Sequence, residues 1–139
     1  MTPKVFIDTN VWFSAFWGSE NCQKIIGASI NGKINAVISS QVLKELINNL
    51  HKKIPGALPA LNTLLTNFPL TVIKDAESCP KKLEDYIEKK DRLIFASAYN
   101  FKADYFVTGN LKDFSVTNIH KLTAIKIVNP SELVKLIGL

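Results

Sequence analysis

Apolar and mostly β-branched residues gather in short runs at residues 5–7, 36–38, 70–73, 105–107 and 125–128, and longer stretches with helical spacing separate them. Strands alternating with helices predict βαβ units, hence a mostly parallel sheet covered on both faces. The helical stretches fall at 11–16, 20–31, 41–52, 58–67, 80–89, 91–101 and 131–137. Several have legible ends: Ser19 is placed to cap the second helix and Gly32 to close it, Ser40 precedes the third, and Pro130-Ser131 opens the last. Pro55-Gly56 and Leu58-Pro59 mark a loop between two helices rather than a linker between domains.

In a parallel sheet of this kind ligands bind beyond the carboxyl ends of the strands, where the strand order reverses. The first strand runs into Asp8-Thr9-Asn10, and the fourth into Thr108-Gly109-Asn110 with Asp113 three residues on. Neither is a glycine-rich phosphate loop, which takes away the main support for the dinucleotide and P-loop readings. A carboxylate at a strand end suits a hard divalent cation instead, because such ions take oxygen ligands. Asp91 shares a helical stripe with Ile94, Phe95 and Ala98, which puts an acid in line with residues that pack on the sheet, although a helix-capping role accounts for it equally well. Glu45 lies only at the border of the stripe Val42, Leu43, Leu46, Ile47, Leu50, where a flanking charge is ordinary.

Composition narrows the classes without naming one. With 139 residues, 47% of them hydrophobic, the chain can bury a core that needs neither disulfides nor a structural metal, and a single domain is expected. No apolar run approaches the roughly 20 residues that cross a bilayer, and the start of the chain is too short in apolar residues for a secretory leader, so no membrane role and a cytoplasmic location are expected. Cys22 and Cys79 lack metal-site spacing and read as reduced thiols. The formal charge of +5 favours anionic partners; Arg92 is the only arginine among 17 basic residues, which favours lysine contacts to phosphate over bidentate base readout.

Four segments together then become recognisable: Val5-Phe6-Ile7-Asp8-Thr9-Asn10-Val11, the helix around Glu45, Asp91-Arg92-Leu93-Ile94-Phe95-Ala96-Ser97-Ala98, and Ala103-Asp104-Tyr105-Phe106-Val107-Thr108-Gly109-Asn110. In this order they resemble the PIN (PilT N-terminus) domains, most closely the toxins of toxin–antitoxin systems related to the VapC ribonucleases. The resemblance covers nearly the whole chain and implies an α/β, PIN-like three-layer fold, a central parallel β-sheet flanked by α-helices. It further implies acids that converge on Mg²⁺ or Mn²⁺ and cleave RNA. Asp8, Glu45 and Asp91 match the family's first three acids, with Asp8 and Asp91 as metal ligands. Asn110 stands where the family commonly has an Asp, and Asp113 is the acid that can replace it in holding the ion. Thr9, Asn10 and Thr108 match the groups that orient the first acid by hydrogen bonding.

A phosphodiester repels an incoming hydroxide, and a bound divalent ion relieves that repulsion while it activates water, so the implied chemistry agrees with the charges. Lys89, Lys90, Arg92 and Lys112 are candidates for holding the flanking phosphates of RNA. Trp12, Phe13, Phe16 and Trp17 crowd behind Asp8; core packing or a protein interface suits them better than base stacking. Relatives of this kind form homodimers and are restrained by an antitoxin. The expectation is therefore a metal-dependent endoribonuclease of single-stranded RNA, the toxin of such a pair. One alternative is a PIN domain of little or no activity that binds RNA or protein, which Asn110 motivates; another is a phosphate-transferring receiver or phosphatase on a similar sheet.

Overall fold

A computed structural model describes residues 2–68 and 70–139. Five strands form one parallel sheet: β1 (Lys4–Ile7), β2 (Asn35–Ser39), β3 (Thr71–Ile73), β4 (Tyr105–Val107) and β5 (Lys126–Val128), in the spatial order β3-β2-β1-β4-β5. β1 is central, with Phe6 opposite Val37 on one side and Phe106 on the other. Every link between parallel strands has to cross over the sheet, and helices do this throughout. They are α1 (Thr9–Trp17), α2 (Glu20–Ile30), α3 (Ser40–Lys53), α4 (Leu58–Asn67), α5 (Lys81–Glu84), α6 (Arg92–Phe101), α7 (Val116–Thr123) and α8 (Pro130–Ile137). α1 packs against α2 and α3, and α8 returns to lie on α2. The strand order turns back on itself at β1 and β4, so a ligand crevice is expected beyond Ile7 and Val107.

Side chains alternate across the central strands, which gives the two sheet faces different cores. Phe6 and Phe106 are opposite one another in register and stack with centroids 5.2 Å apart, and Phe95 of α6 and Phe114 pack on Phe106, each at 5.3 Å. Trp12 is buried, and its indole nitrogen donates to the Ile7 carbonyl at 3.0 Å, so the ring's one polar atom is satisfied.

Most predicted elements are present, with instructive departures. The stretch 80–89 is helical only over α5, because the next residues are drawn into an antiparallel bridge between Ile87 and Phe114. There Glu88 N–H donates to the Asp113 carbonyl and Ser115 N–H to that of Tyr86. α7 was not predicted: it is short, rich in β-branched residues and buries only Ile119. Ser39 rather than Ser40 caps α3, whereas Ser19 caps α2 as expected. α8 starts at Pro130 with Asn129 and Glu132 in a reciprocal capping box.

The three-ring contact around Phe106 joins the central strands to α6 and the Phe114 segment. Phe106→Ala should destabilise the protein by about 3–5 kcal/mol, the usual cost of emptying a fully buried phenylalanine site; urea unfolding followed by far-UV circular dichroism measures it.

Candidate active site

Asp8 follows β1 directly and also caps α1, its Oδ1 accepting the Thr9 N–H at 2.8 Å. Its other oxygen, Oδ2, accepts the Thr108 hydroxyl at 2.9 Å and, more loosely, the Asn10 amide at 3.4 Å. Burial pushes the Asp8 carboxyl above its ordinary pKa; the Thr9 N–H and Thr108 hydroxyl bonds oppose this, and the nearby Glu45 charge adds to it. The α1 dipole favours the ionised form as well. Asn10 bridges the two strand ends, since its Oδ1 accepts the Gly109 N–H at 2.8 Å. A Cβ at Gly109 would lie 3.2 Å from that oxygen, which gives the glycine a reason to be there.

Glu45 reaches the same place from α3. Its Oε2 accepts the Thr9 hydroxyl at 2.9 Å and its Oε1 the Gln41 amide at 3.3 Å. The periodicity left this residue at the edge of the apolar stripe, and that edge is what faces the crevice.

Asp91 ends a 3₁₀ turn, Lys89–Asp91, immediately before α6. It occupies the N-cap position without making a capping bond, so helix capping does not account for it, and its buried Oδ2 has no hydrogen-bond partner. Burial, then the Asp8 charge, then the carboxyl of Asp113 push Asp91 up to about 6, against a small opposing effect of Lys90. Asp113 thus lies against Asp91, its side chain only 10% exposed and its Oδ2 3.4 Å from Lys90 Nζ. The bridge at Ile87 and Phe114 is what brings these two segments together.

Asp8, Glu45, Asp91 and Asn110 line one open crevice of about 350 Å³, together with Thr9 and Asn10. Thr108 stands buried behind Asp8. Of the basic candidates only Lys90 lines this crevice. Arg92 Nε instead donates to the Glu84 and Ile87 carbonyls at 3.1 Å each, stapling the turn ahead of Asp91. Lys112 and Arg92 border a separate depression with Asp113, and Lys89 is exposed outside both. Asn49 and Lys53 line the crevice and were missed in the sequence, although they follow Glu45 at four and eight residues along α3.

The donors suit a hard divalent ion: carboxylate oxygens from three elements, one of them buried without a partner. Among the described residues no group of three or more His, Cys, Asp or Glu side chains is arranged to hold a metal ion by itself. The acids border an open crevice, so an ion held there would draw much of its shell from water or phosphate oxygens, as Mg²⁺ commonly does.

The family model of the PIN domain matches residues 4–112, a span that takes in Asp8, Glu45, Asp91 and Asn110 and stops just short of Asp113. Among solved structures, VapBC2 from Rickettsia felis bound to a DNA fragment from its promoter is similar at a TM-score of 0.63 and 20% identity, over 91% of this chain and 98% of that one. DNA-bound VapBC from Salmonella typhimurium is similar at 0.60 and 17%, over 93% and 99%. At these identities the likeness is one of fold. No curated protein matches the sequence. With the family model matching residues 4–112, well over half of the chain, and a five-stranded parallel sheet in place, this chain belongs to the PIN domain family.

Proposed function

We propose that this chain is a divalent-metal-dependent endoribonuclease that cleaves single-stranded RNA, the toxin of a toxin–antitoxin pair, working as a homodimer and restrained by a protein partner. The observation that carries the reading is the meeting of Asp8, Glu45 and Asp91 in one crevice at the switch point of the sheet, with Asp91 Oδ2 buried and unpaired. The fold shared with the VapBC structures supports the toxin assignment and the partner.

Asp8 and Asp91 are the residues to hold Mg²⁺ or Mn²⁺, with Asn110 or Asp113 at the fourth position; the ion supplies charge that offsets the phosphodiester's own and activates water. Asp8 is held in one orientation by Thr9 N–H, Thr108 and Asn10, so no ordering cost remains when substrate arrives. Glu45 is the proton acceptor, its Oε2 fixed by the Thr9 hydroxyl. Lys90 and Lys53 border the crevice as cations for phosphates of the bound strand. Asn110 keeps a second reading in play, an RNA- or protein-binding module with little turnover, because an amide there contributes no charge to the acid set.

Asp8→Asn and Asp91→Asn are expected each to lower cleavage of a single-stranded oligoribonucleotide in Mn²⁺ or Mg²⁺ by about a hundredfold or more, with the fold retained. Gel-resolved cleavage beside circular dichroism checks this, and wild-type rates in both variants would sink the reading.

The raised pKa of Asp91 makes a separate prediction for the metal-free protein. The native state holds this proton more tightly than the unfolded chain, so ionising Asp91 costs stability. That cost is absent below the ordinary value of 3.8 and complete above about 6. In EDTA, Asp91→Asn should therefore melt higher than wild type at pH 7.5, with the advantage fading as the pH falls to 4. Melts across that range, repeated with Mg²⁺ to stabilise the wild type, provide the check.

Asn110→Asp is expected to tighten Mn²⁺ binding if position 110 completes the acid set, whereas loss of binding in Asp113→Asn assigns the role to Asp113. Calorimetric titration of both variants distinguishes them.

A further inference from the structure

α1 and α3 leave the carboxyl ends of neighbouring strands and pack against each other, and two contacts fix how their surfaces align. At the inner end Thr9 of α1 bonds Glu45 of α3; further out Lys53 Nζ stands over the Phe13 ring at 5.7 Å from its centroid. The helices thus run outward together, α1 presenting Thr9, Phe13 and Trp17 at four-residue steps and α3 presenting Glu45, Asn49 and Lys53 at the same steps. Phe13, Asn49 and Lys53 line the same crevice as the acids. Beyond it Trp17 stacks on Phe13 at 5.8 Å with 21° between the ring planes, yet remains 66% exposed. The indole is therefore stacked on Phe13 while most of its surface stays open to solvent. No core contact explains a tryptophan there.

From these contacts the geometry points to a nucleotide-binding trough between α1 and α3, in which Trp17, backed by Phe13, stacks a base next to the scissile phosphate and Lys53 holds the adjoining phosphate. This rests on the ribonuclease reading above and adds the direction in which the strand leaves the acids. The order of chemistry along the trough fits a single-stranded polynucleotide: carboxylates at the inner end, then a lysine beside an aromatic face, then an open ring. An aromatic platform with an adjacent cation is the pairing by which single strands are held, because every base offers a π face and every link a phosphate. A protein partner seated on Trp17 is the competing occupant, since exposed tryptophans also anchor interfaces.

Binding in EDTA isolates recognition from cleavage. The probes are an eight-nucleotide oligoadenylate and an abasic oligomer carrying the same number of phosphates. Oligoadenylate should quench the fluorescence of Trp17, whereas Trp12 is buried and should report little. Trp17→Ala should weaken oligoadenylate binding about tenfold, Trp17→Phe considerably less, and the abasic oligomer should bind wild type and Trp17→Ala alike. Lys53→Ala should weaken both oligomers and reduce the salt dependence of binding. Unchanged oligoadenylate binding in Trp17→Ala overturns the trough, as does an equal loss on the abasic oligomer. A shift of Trp17→Ala from dimer to monomer in sedimentation, with RNA binding intact, overturns it in favour of a protein interface. Metal-supported cleavage by the wild type is scored separately. Cleavage without a Trp17 effect on binding removes only the trough, and a Trp17 effect without cleavage removes only the nuclease reading.

Discussion

The Thr108 hydroxyl lies 2.9 Å from Asp8 Oδ2 and joins the ends of β1 and β4 across 100 residues of sequence. Both side chains are buried, so a carboxylate has been taken out of water at the centre of the sheet, and it survives there only because donors meet both of its oxygens. Those donors exist because β1 and β4 are paired in parallel and in register: Ile7 stands opposite Val107, which sets Asp8 beside Thr108. Asn10 strengthens the same tie by holding the Gly109 N–H. A slip of one residue between these strands would turn Phe6 away from Phe106 and leave Asp8 without its hydroxyl. Core packing and site geometry thus depend on one register.

The second half of the site is assembled differently. Asp91 and Asp113 each end a short 3₁₀ turn outside the sheet, and a single antiparallel bridge at Ile87 and Phe114, with the Arg92 staple behind it, brings their carboxyls together. Burial first, and then the like charges gathered in this way, raise Asp91's proton affinity, a cost that the metal-free fold carries. The Phe114 ring, packed on Phe95 and Phe106, offsets part of that cost by anchoring the segment in the core. A rigid strand end therefore supplies Asp8, helix α3 supplies Glu45, and sewn-down turns supply Asp91 and Asp113.

What could be read from the sequence follows this division. Strand positions, and Asp8 as an acid at a strand end, were legible because period and polarity are local signals. The shortened helix at 80–89 was not, because the bridge that straightens residues 86–88 comes from a segment some 27 residues further on. α7 left a weak local signal, although the parallel pairing of β4 and β5 requires a crossover between them. Periodicity left Glu45 undecided and the family resemblance singled it out, while Asn49 and Lys53 gained meaning only once α3 was seen to lie along α1. Of the four clustered aromatics, Trp12 packs in the core and Trp17 remains exposed, a split that proximity in sequence does not reveal.

Because α1 starts just after Asp8 and α3 just after Ser39, the first turns of both helices border the crevice and later turns move away from it. Position along either helix is then distance from the acids, about 6 Å for every four residues. The i, i+4, i+8 repeats on the two helices hold one chemical order along that distance because side chains four apart share a face. Inserting one residue between Phe13 and Trp17 would swing the indole about 100° around the helix axis, off the Phe13 ring and away from Lys53. The length of α1 and its capping by Asp8 therefore matter to the outer trough as much as to the first acid, and a single carboxylate fixes the start of both.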